Sequence, residues 1–322
     1  MRIACHVGLP TESMLRLLKQ AGVSDIVAGP PRPRRGPKVT FEDWLHMSRQ
    51  VADAGLKLSV IESLPLSDRV MLGLPGRDEE IDAYCQSIRY MGAAGIEVHC
   101  YNWMPVIHVV RTSSTTRVRG DALATSYEHA LMAKAPETYA GRVTAEQLWG
   151  ALEYFLRAVL PVAEEAGVKL GMHPDDPPVS PIRGLDRIMI NPDAFQRLID
   201  LAPSPANGIT FCQGCFSEMG VDVPEAIHRF GEQGKIFFAH FRNVIGTSTS
   251  FYETFHDEGQ TDMFAAMRAY YEVGFDGPMR PDHFPLMEGE DESGEARPVR
   301  GRLYAIGYMR GLIEGIEKTR CA

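Results

Sequence analysis

Four side chains that can bind a transition metal lie at or beside the ends of four apolar runs in the second half of the chain. They are His173, Cys212, His240 and Asp282. Neutral imidazole, thiolate and carboxylate donors together suit a divalent transition metal, because they supply electron pairs and neutralise its charge. Any one of them alone is as easily a packed or hydrogen-bonded side chain. Four of them in equivalent positions on successive predicted strands predict a metal site.

The cysteines offer one other interpretation. Cys212 and Cys215 have the C-x-x-C spacing that is typical of structural zinc sites. Such sites usually need a second pair, and the sequence contains none, so a structural zinc site is not favoured. The six cysteines are scattered along the chain and do not resemble a disulfide framework.

The four candidate ligands can meet only if their strands run parallel and end at one rim. Short apolar, β-branched runs predict eight strands: Arg2–Val7, Asp25–Ala28, Lys57–Ile61, Ile96–Cys100, Val168–His173, Gly208–Cys212, Lys235–Phe241 and Gly277–Asp282. Segments with helical periodicity alternate with them: Thr11–Gln20, Phe41–Ala54, Asp78–Ala94, Ala145–Ala166, Pro192–Ile199, Val223–Phe230, Thr261–Val273 and Arg302–Lys318. Eight strand-and-helix units predict an α/β fold, a (β/α)₈ TIM barrel that takes up residues 1–322 as a single domain.

Two features of the chain bear on this prediction. An open, doubly wound sheet is the rival fold, but the first strand is followed by Gly8, Leu9 and Pro10 rather than by a glycine-rich phosphate loop. The segment Met104–Thr144 is too long for an ordinary connection after the fourth strand. We therefore expect an extended loop or lid on the active-site side of the barrel.

Charge and hydropathy exclude several classes of partner. The chain of 322 residues has a formal net charge of -9, so it has no general electrostatic attraction for nucleic acid. No apolar run reaches the roughly 18–20 residues that a membrane span needs. The first residues also lack the apolar region of a secretion signal. These features predict a cytoplasmic protein without nucleic-acid or membrane partners.

Several motifs resemble those of the mannonate dehydratase family. They are HPDDPP from His173, ANGITFC ending at Cys212, FYET from Phe251, RPDH ending at His283, VIESLP from Val60 and CYNWMPV from Cys100. The resemblance extends from about residue 50 to 315. It implies a xylose-isomerase-like TIM barrel that removes water from D-mannonate, or a close relative, and forms a 2-keto-3-deoxy sugar acid. It also implies a divalent cofactor, Mn²⁺ first, with Fe²⁺, Co²⁺, Ni²⁺ or Zn²⁺ also suited to His173, Cys212, His240 and Asp282.

The same resemblance suggests roles for other residues. His283 resembles the acid/base residue of the family and is expected to protonate the leaving hydroxyl. Arg280 and His256 are expected to orient or neutralise the substrate carboxylate. The polar residues expected at the substrate are Asn102, Arg111, Asp175, Asn243 and Arg297. Barrels of this family commonly assemble, so a homo-oligomer, a dimer or tetramer, is expected with a small sugar acid as the bound partner.

The substrate half of the site departs from the family pattern. In this chain Cys5, His6, Val7 and Gly8 stand where the family has an Arg-Trp-Tyr-Gly strand end. The second loop also lacks the Leu-His motif of the family, and His6 could take the place of the missing histidine in space. The position of a proton-transferring tyrosine falls near Arg297, while the nearest phenol, Tyr304, lies in the terminal helical segment. Two alternatives therefore stay open: a metal-dependent isomerase or epimerase of a keto sugar or uronate, and a non-catalytic protein that binds a sugar acid.

Overall fold

The computed structural model of the chain describes residues 1–290 and 299–320. Within these residues, twelve strands follow one another: β1 (Arg2–Val7), β2 (Asp25–Ala28), β3 (Lys57–Glu62), β4 (Val98–Tyr101), β5 (Ser113–Arg117), β6 (Leu123–Glu128), β7 (Lys169–Met172), β8 (Asn207–Cys212), β9 (Ile236–Phe241), β10 (Val244–Thr247), β11 (Ser250–Glu253) and β12 (Pro278–Pro281).

Eleven α-helices lie between and after these strands in the same described ranges. They are α1 (Glu12–Gln20), α2 (Phe41–Asp53), α3 (Asp68–Met71), α4 (Arg77–Ala93), α5 (His129–Met132), α6 (Ala145–Ala166), α7 (Pro192–Leu201), α8 (Gln213–Glu218), α9 (Val223–Gly231), α10 (Met263–Glu272) and α11 (Arg300–Arg320). In the part of the chain that the structure describes, no helix is both long and apolar enough to cross a membrane.

Eight parallel strands close into a barrel in the order β1-β12-β9-β8-β7-β4-β3-β2, and β2 pairs with β1. Along each strand, successive side chains point alternately into the barrel and outward to the helices. Ala4, Val27, Val60 and Val98 face one another in an interior cluster, while their neighbours pack with the surrounding helices. This arrangement confirms the predicted TIM barrel, and each predicted strand boundary lies within two residues of the observed one.

The helices begin and end where local chemistry favours it. At the start of α2, the Asp43 carboxylate accepts a hydrogen bond from the Thr40 backbone N–H at 2.9 Å, which completes a capping box. Helix α6 ends at Gly167, whose φ of 68° lies in the left-handed region that glycine adopts without strain. Each boundary turns the chain from the outer layer of helices back into the barrel.

The long segment after β4 takes part in a second, smaller sheet. Strands β5 and β6 lie in this segment, and β6 pairs antiparallel with β11, with Phe251 opposite Tyr127. The four strands follow the order β10-β11-β6-β5, and Tyr127, Val244 and Phe251 form their own apolar cluster. The predicted extension is thus a folded sheet over the rim of the barrel, and its role as a lid stays a prediction.

Candidate active site

A cavity of about 410 Å³ opens at the carboxyl ends of the barrel strands. Side chains from several strand ends line it: His6, Glu62, Asn102, His173, His240, Arg280, Asp282 and His283. Strands of a parallel barrel all deliver their final side chains to this face, which is where TIM barrels place their reactive groups.

The four predicted metal ligands meet at the base of this cavity. One ligand atom from each of His173, Cys212, His240 and Asp282 lies within 4.8 Å of all the others. Nε2 of His173 lies 3.2 Å from Nδ1 of His240, and that Nδ1 lies 3.4 Å from Oδ2 of Asp282. The register of the sheet explains part of this approach, because Cys212 on β8 is directly opposite His240 on β9.

A hydrogen bond of His173 and an ion-pair contact of His240 aim the two imidazoles at the centre of the cluster. Nδ1 of His173 lies 2.7 Å from the carbonyl oxygen of Pro174, so this nitrogen donates to the backbone and leaves Nε2 as the acceptor facing His240. Nε2 of His240 lies 2.8 Å from Oε1 of Glu62, which leaves Nδ1 facing the cluster. The imidazoles thus present lone pairs in the way that metal-binding histidines do.

Negative charge accumulates at the cluster. Burial raises the pKa of Asp282, but the positive charges of Arg280, His283 and His240 outweigh it and hold that pKa well below its ordinary value. Burial and the charge of Arg280 lower the pKa of His240. The charges of Asp282 and Glu62 raise that pKa by more, so it lies well above its ordinary value. The surroundings of His240 therefore favour a cation, and a divalent metal ion fits this set of donors.

Cys212 lies behind the cavity and is fully buried. Burial raises the pKa of its thiol, but a hydrogen bond from Cys215, the charge of Arg242 and the two ligand imidazoles lower it more. The net pKa lies well below the ordinary thiol value, so the surroundings of Cys212 favour the thiolate. The pKa of Cys215 moves the other way, since burial and the adjacent Cys212 both raise it.

His283 stands at the wall of the cavity beside the cluster. Its side chain is 32% exposed, and its Nδ1 lies 3.6 Å from Oε1 of Glu253. Its Nε2 lies 3.8 Å from Oδ2 of Asp282. The residue has a φ of 45°, in the left-handed region that only a few non-glycine residues adopt. The backbone conformation therefore directs this imidazole toward the cavity at the cost of local strain.

A network of buried charges supports this wall. Arg111 binds both oxygens of Asp176, at 2.6 and 2.9 Å, and lies 2.8 Å from Oε1 of Glu253. Arg242 binds the same two carboxylates from the other side. Burial raises the pKa of Asp176 and of Glu253, but the nearby cations lower each one below its ordinary value. Both carboxylates stay ionised and line the cavity.

The other predicted substrate residues have different positions. Asn102, Arg280 and His283 line the cavity, whereas Arg111 contacts the carboxylates behind it. Asp175 does not reach the cavity, because its carboxylate accepts from Arg187 at 2.9 Å and from the backbone N–H groups of residues 188 and 189. Arg297 lies outside the described residues.

Asn243 and His256, also predicted to act at the substrate, instead bind backbone groups beside the cavity. The side-chain amide of Asn243 donates to the backbone carbonyls of His256 and Thr261, both at 3.1 Å. His256 is fully buried, and its Nε2 lies 2.7 Å from the carbonyl oxygen of Phe241. Burial lowers the pKa of His256 to about 4, so it is neutral and holds the chain after β9 in place.

Several cavity residues were not assigned a role from the sequence, and two of them are the carboxylates Glu62 and Glu253. Glu62 ends β3 and Glu253 ends β11. The sequence could have predicted Glu62 at the cavity, since it is a carboxylate at the carboxyl end of a predicted strand. The sequence could not have predicted Glu253 there, because the pairing of β11 with β6 is what brings it to the cavity.

Nearly the whole chain matches a known family. Its sequence matches the D-mannonate dehydratase (UxuA) family over residues 7–140 and 135–322. The chain belongs to the mannonate dehydratase family. A mannonate dehydratase of Thermotoga maritima is 38% identical over 318 residues, which covers 87% of each protein. Mannonate dehydratase 2 of Halalkalibacterium halodurans is 37% identical over 306 residues, or 85% of this chain and 87% of that protein.

A solved structure supports the same relationship. The crystal structure of mannonate dehydratase from Streptococcus suis serotype 2 superposes with a TM-score of 0.92 at 32% identity, and it covers 99% of this chain and 96% of that one. The mannonate dehydratase fold thus accounts for nearly all of the chain. In this member of the mannonate dehydratase family, His6 at the end of β1 lines the cavity. Tyr304 is 37% exposed and contacts the ring of Phe255 instead.

Proposed function

We propose that the protein is a metal-dependent hydro-lyase that dehydrates D-mannonate, or a close relative, to a 2-keto-3-deoxy sugar acid. The observation that carries this proposal is the cluster of His173, Cys212, His240 and Asp282 at the base of the cavity, with His283 beside it. Membership of the mannonate dehydratase family supports the same reaction.

Dehydration of a sugar acid needs two kinds of help. A weakly acidic proton next to the carboxylate must be removed, and hydroxide must be protonated as it leaves. The bound metal ion would act as a Lewis acid for the oxygens of the substrate. We propose that His173, Cys212, His240 and Asp282 hold this ion and that it is Mn²⁺, although the same donors accept Fe²⁺, Co²⁺, Ni²⁺ or Zn²⁺.

Protonation of the leaving group and orientation of the substrate belong to side chains of the protein, whereas the group that takes the proton next to the carboxylate is not assigned to a residue. His283 reaches the cavity between Glu253 and Asp282, and we assign to it the proton that the leaving hydroxyl takes up. Arg280 contacts Glu62 at 3.1 Å and Asp282 at 2.7 Å, so it holds these carboxylates in place and adds positive charge near the substrate carboxylate. Asn102 offers an amide to substrate hydroxyls at the same wall.

We propose that residues 1–322 form a single barrel domain and that His256 and Asn243 act by holding the loop after β9 rather than by contact with the substrate. The cytoplasmic location and the assembly into a dimer or tetramer stay predictions. Family membership does not favour the isomerase or epimerase alternative.

One assay tests the reaction directly. Metal-reconstituted protein is incubated in D₂O with a panel of aldonic and uronic acids, and both 2-keto-3-deoxy product and deuterium at C2 are measured. We expect product from D-mannonate or a close relative, and loss of product in the His283→Asn variant. Deuterium exchange without dehydration would indicate an epimerase. Binding of an acid with neither outcome would indicate a non-catalytic protein.

A further inference from the structure

We propose that Arg242 is a positioning residue for the metal centre, because its guanidinium holds the Cys212 thiolate on the side away from the cavity. The inference rests on the metal site proposed above and concerns a residue two positions after His240. Arg242 does not line the cavity itself, so it would act on the metal through Cys212.

The contacts with sulfur are specific. Nη1 of Arg242 lies 3.6 Å from Sγ of Cys212 and 3.2 Å from Sγ of Cys215. The same nitrogen lies 3.2 Å from Oδ2 of Asp176. An arginine side chain keeps its charge at every physiological pH, so a permanent cation adjoins the proposed thiolate ligand.

Three carboxyl groups fix the orientation of this guanidinium. Glu253 accepts from Nε at 2.9 Å and from Nη2 at 2.7 Å, and Glu218 accepts from Nη2 at 2.7 Å. Glu253 and Glu218 thus bind Nε and Nη2, Asp176 shares Nη1 with the sulfur atoms, and Arg242 is fully buried among these groups. The edge that carries Nη1 is therefore held against the two sulfur atoms with little freedom to turn.

Gly214, one of the two residues between the cysteines, makes this contact possible. A Cβ atom at Gly214 would lie 2.5 to 2.7 Å from Cδ, Nε and Cγ of Arg242. These distances are shorter than any van der Waals contact, and the immobilised stem of Arg242 cannot move away from them. Gly214 thus leaves the space through which the arginine reaches both sulfur atoms.

This position has two consequences for the site. The cation offsets part of the negative charge that Cys212 and Asp282 concentrate at the cluster, and its hydrogen bond fixes the direction of the sulfur lone pairs. Glu253, which binds Arg242, also faces His283. Arg242 therefore links the proposed thiolate ligand to the proposed acid through a single carboxylate.

Cobalt binding measures the contact without any assay of activity. Co²⁺ bound to a thiolate gives a near-ultraviolet sulfur-to-metal charge-transfer band, so a titration reports both affinity and the Cys212 bond. In Arg242→Lys we expect at least about ten-fold weaker Co²⁺ binding and a weakened or shifted band, as is typical when an outer partner of a metal ligand is lost. Gly214→Ala, which keeps every charge, should change the band in the same way.

Arg111→Lys is the matched control. Arg111 binds Asp176 and Glu253 as Arg242 does, but among the described residues its hydrogen bonds go only to oxygen atoms and none goes to sulfur. We expect the sulfur-to-cobalt band of Arg111→Lys to be unchanged and the Co²⁺ affinity of this variant to stay within about three-fold of the wild type. Circular dichroism of each metal-free variant checks that the barrel is folded. If Arg242→Lys does not fold, Gly214→Ala provides the measurement.

The outcomes separate the inference from the proposed function. A wild-type protein that binds Co²⁺ without a thiolate band would overturn the role of Cys212 as a ligand, and the inference with it. A wild-type band that is unchanged in folded Arg242→Lys and Gly214→Ala would overturn the role of Arg242 alone. Equal losses in Arg242→Lys and Arg111→Lys would show a general effect of the charge network and would also contradict the inference.

Discussion

Sγ of Cys212 lies 3.9 Å from Oδ2 of Asp282, although 70 positions separate the two residues in the sequence. Cys212 ends β8, and Asp282 follows β12. His240 on β9 lies between them in the barrel, since β9 pairs with both strands. Closure of the barrel therefore assembles a thiolate, a carboxylate and an imidazole from three separate segments.

Removing the thiolate should release the metal. In Cys212→Ser a weak hydroxyl ligand replaces the soft thiolate, so we expect divalent metal affinity to fall by more than the roughly 10–100-fold that loss of an outer partner causes. Calorimetric titration and metal analysis of the purified protein measure this change. Cys85→Ser, at a buried cysteine on α4, is the control and should keep its metal. Full occupancy in Cys212→Ser would refute its role as a ligand.

Loss of the imidazole at the cavity wall should remove turnover but not metal. We expect His283→Asn to lower kcat by about 10²–10⁴-fold, which is the usual contribution of a positioned general acid. Steady-state kinetics on the acid identified by the panel, with metal analysis of the same sample, give both quantities. His228→Asn changes a histidine on α9 that pairs with Glu272 outside the cavity, and it should behave as the wild type. An active His283→Asn enzyme would assign the acid to another group.

The ion pair of Asp175 and Arg187 should support the fold. Both side chains are buried, with Nη1 of Arg187 2.9 Å from Oδ1 of Asp175. In Arg187→Met the carboxylate loses its cation, so we expect the free energy of unfolding to fall by about 3–5 kcal/mol. Denaturant unfolding measures this loss. Arg229→Met breaks an exposed pair with Asp193 and should cost at most about 1 kcal/mol. Equal small losses would mean that the buried pair contributes no more than the exposed one.

The stability of the metal-free protein should fall in mild acid because of His99. Burial lowers the pKa of His99 to about 4, although its hydrogen bond with the Ile61 carbonyl and the charge of Glu62 oppose this shift; the ordinary value is 6.5. Between these two values the unfolded chain binds more protons than the folded one, so stability declines as the pH falls from 6.5 toward 4. This residue alone should contribute about 2 kcal/mol of loss between pH 8 and pH 5.

Comparison with a variant isolates that contribution. Denaturant unfolding at pH 8 and pH 5 should give a smaller difference for His99→Phe than for the wild type, whatever the absolute stability of the variant. His46→Gln, at an exposed position on α2, should keep the difference of the wild type. An unchanged difference in His99→Phe would mean that other groups account for the acid sensitivity.

The sequence alone determined the barrel and the place where its reactive groups meet. Strand and helix periods are local properties of the chain, and parallel closure brings the ends of all strands to one face. The prediction that His173, Cys212, His240 and Asp282 share a rim needed no further information, and the structure does bring them together.

Only the tertiary structure decided what stands around that cluster. Glu253 reaches the cavity because β11 pairs with β6, and no local pattern encodes that antiparallel register. Asp175 and Asp176 are neighbours in one motif, yet the first binds Arg187 in the scaffold while the second binds Arg111 beside the cavity. The direction of a carboxylate depends on which distant cation it meets, and folding alone brings the two together.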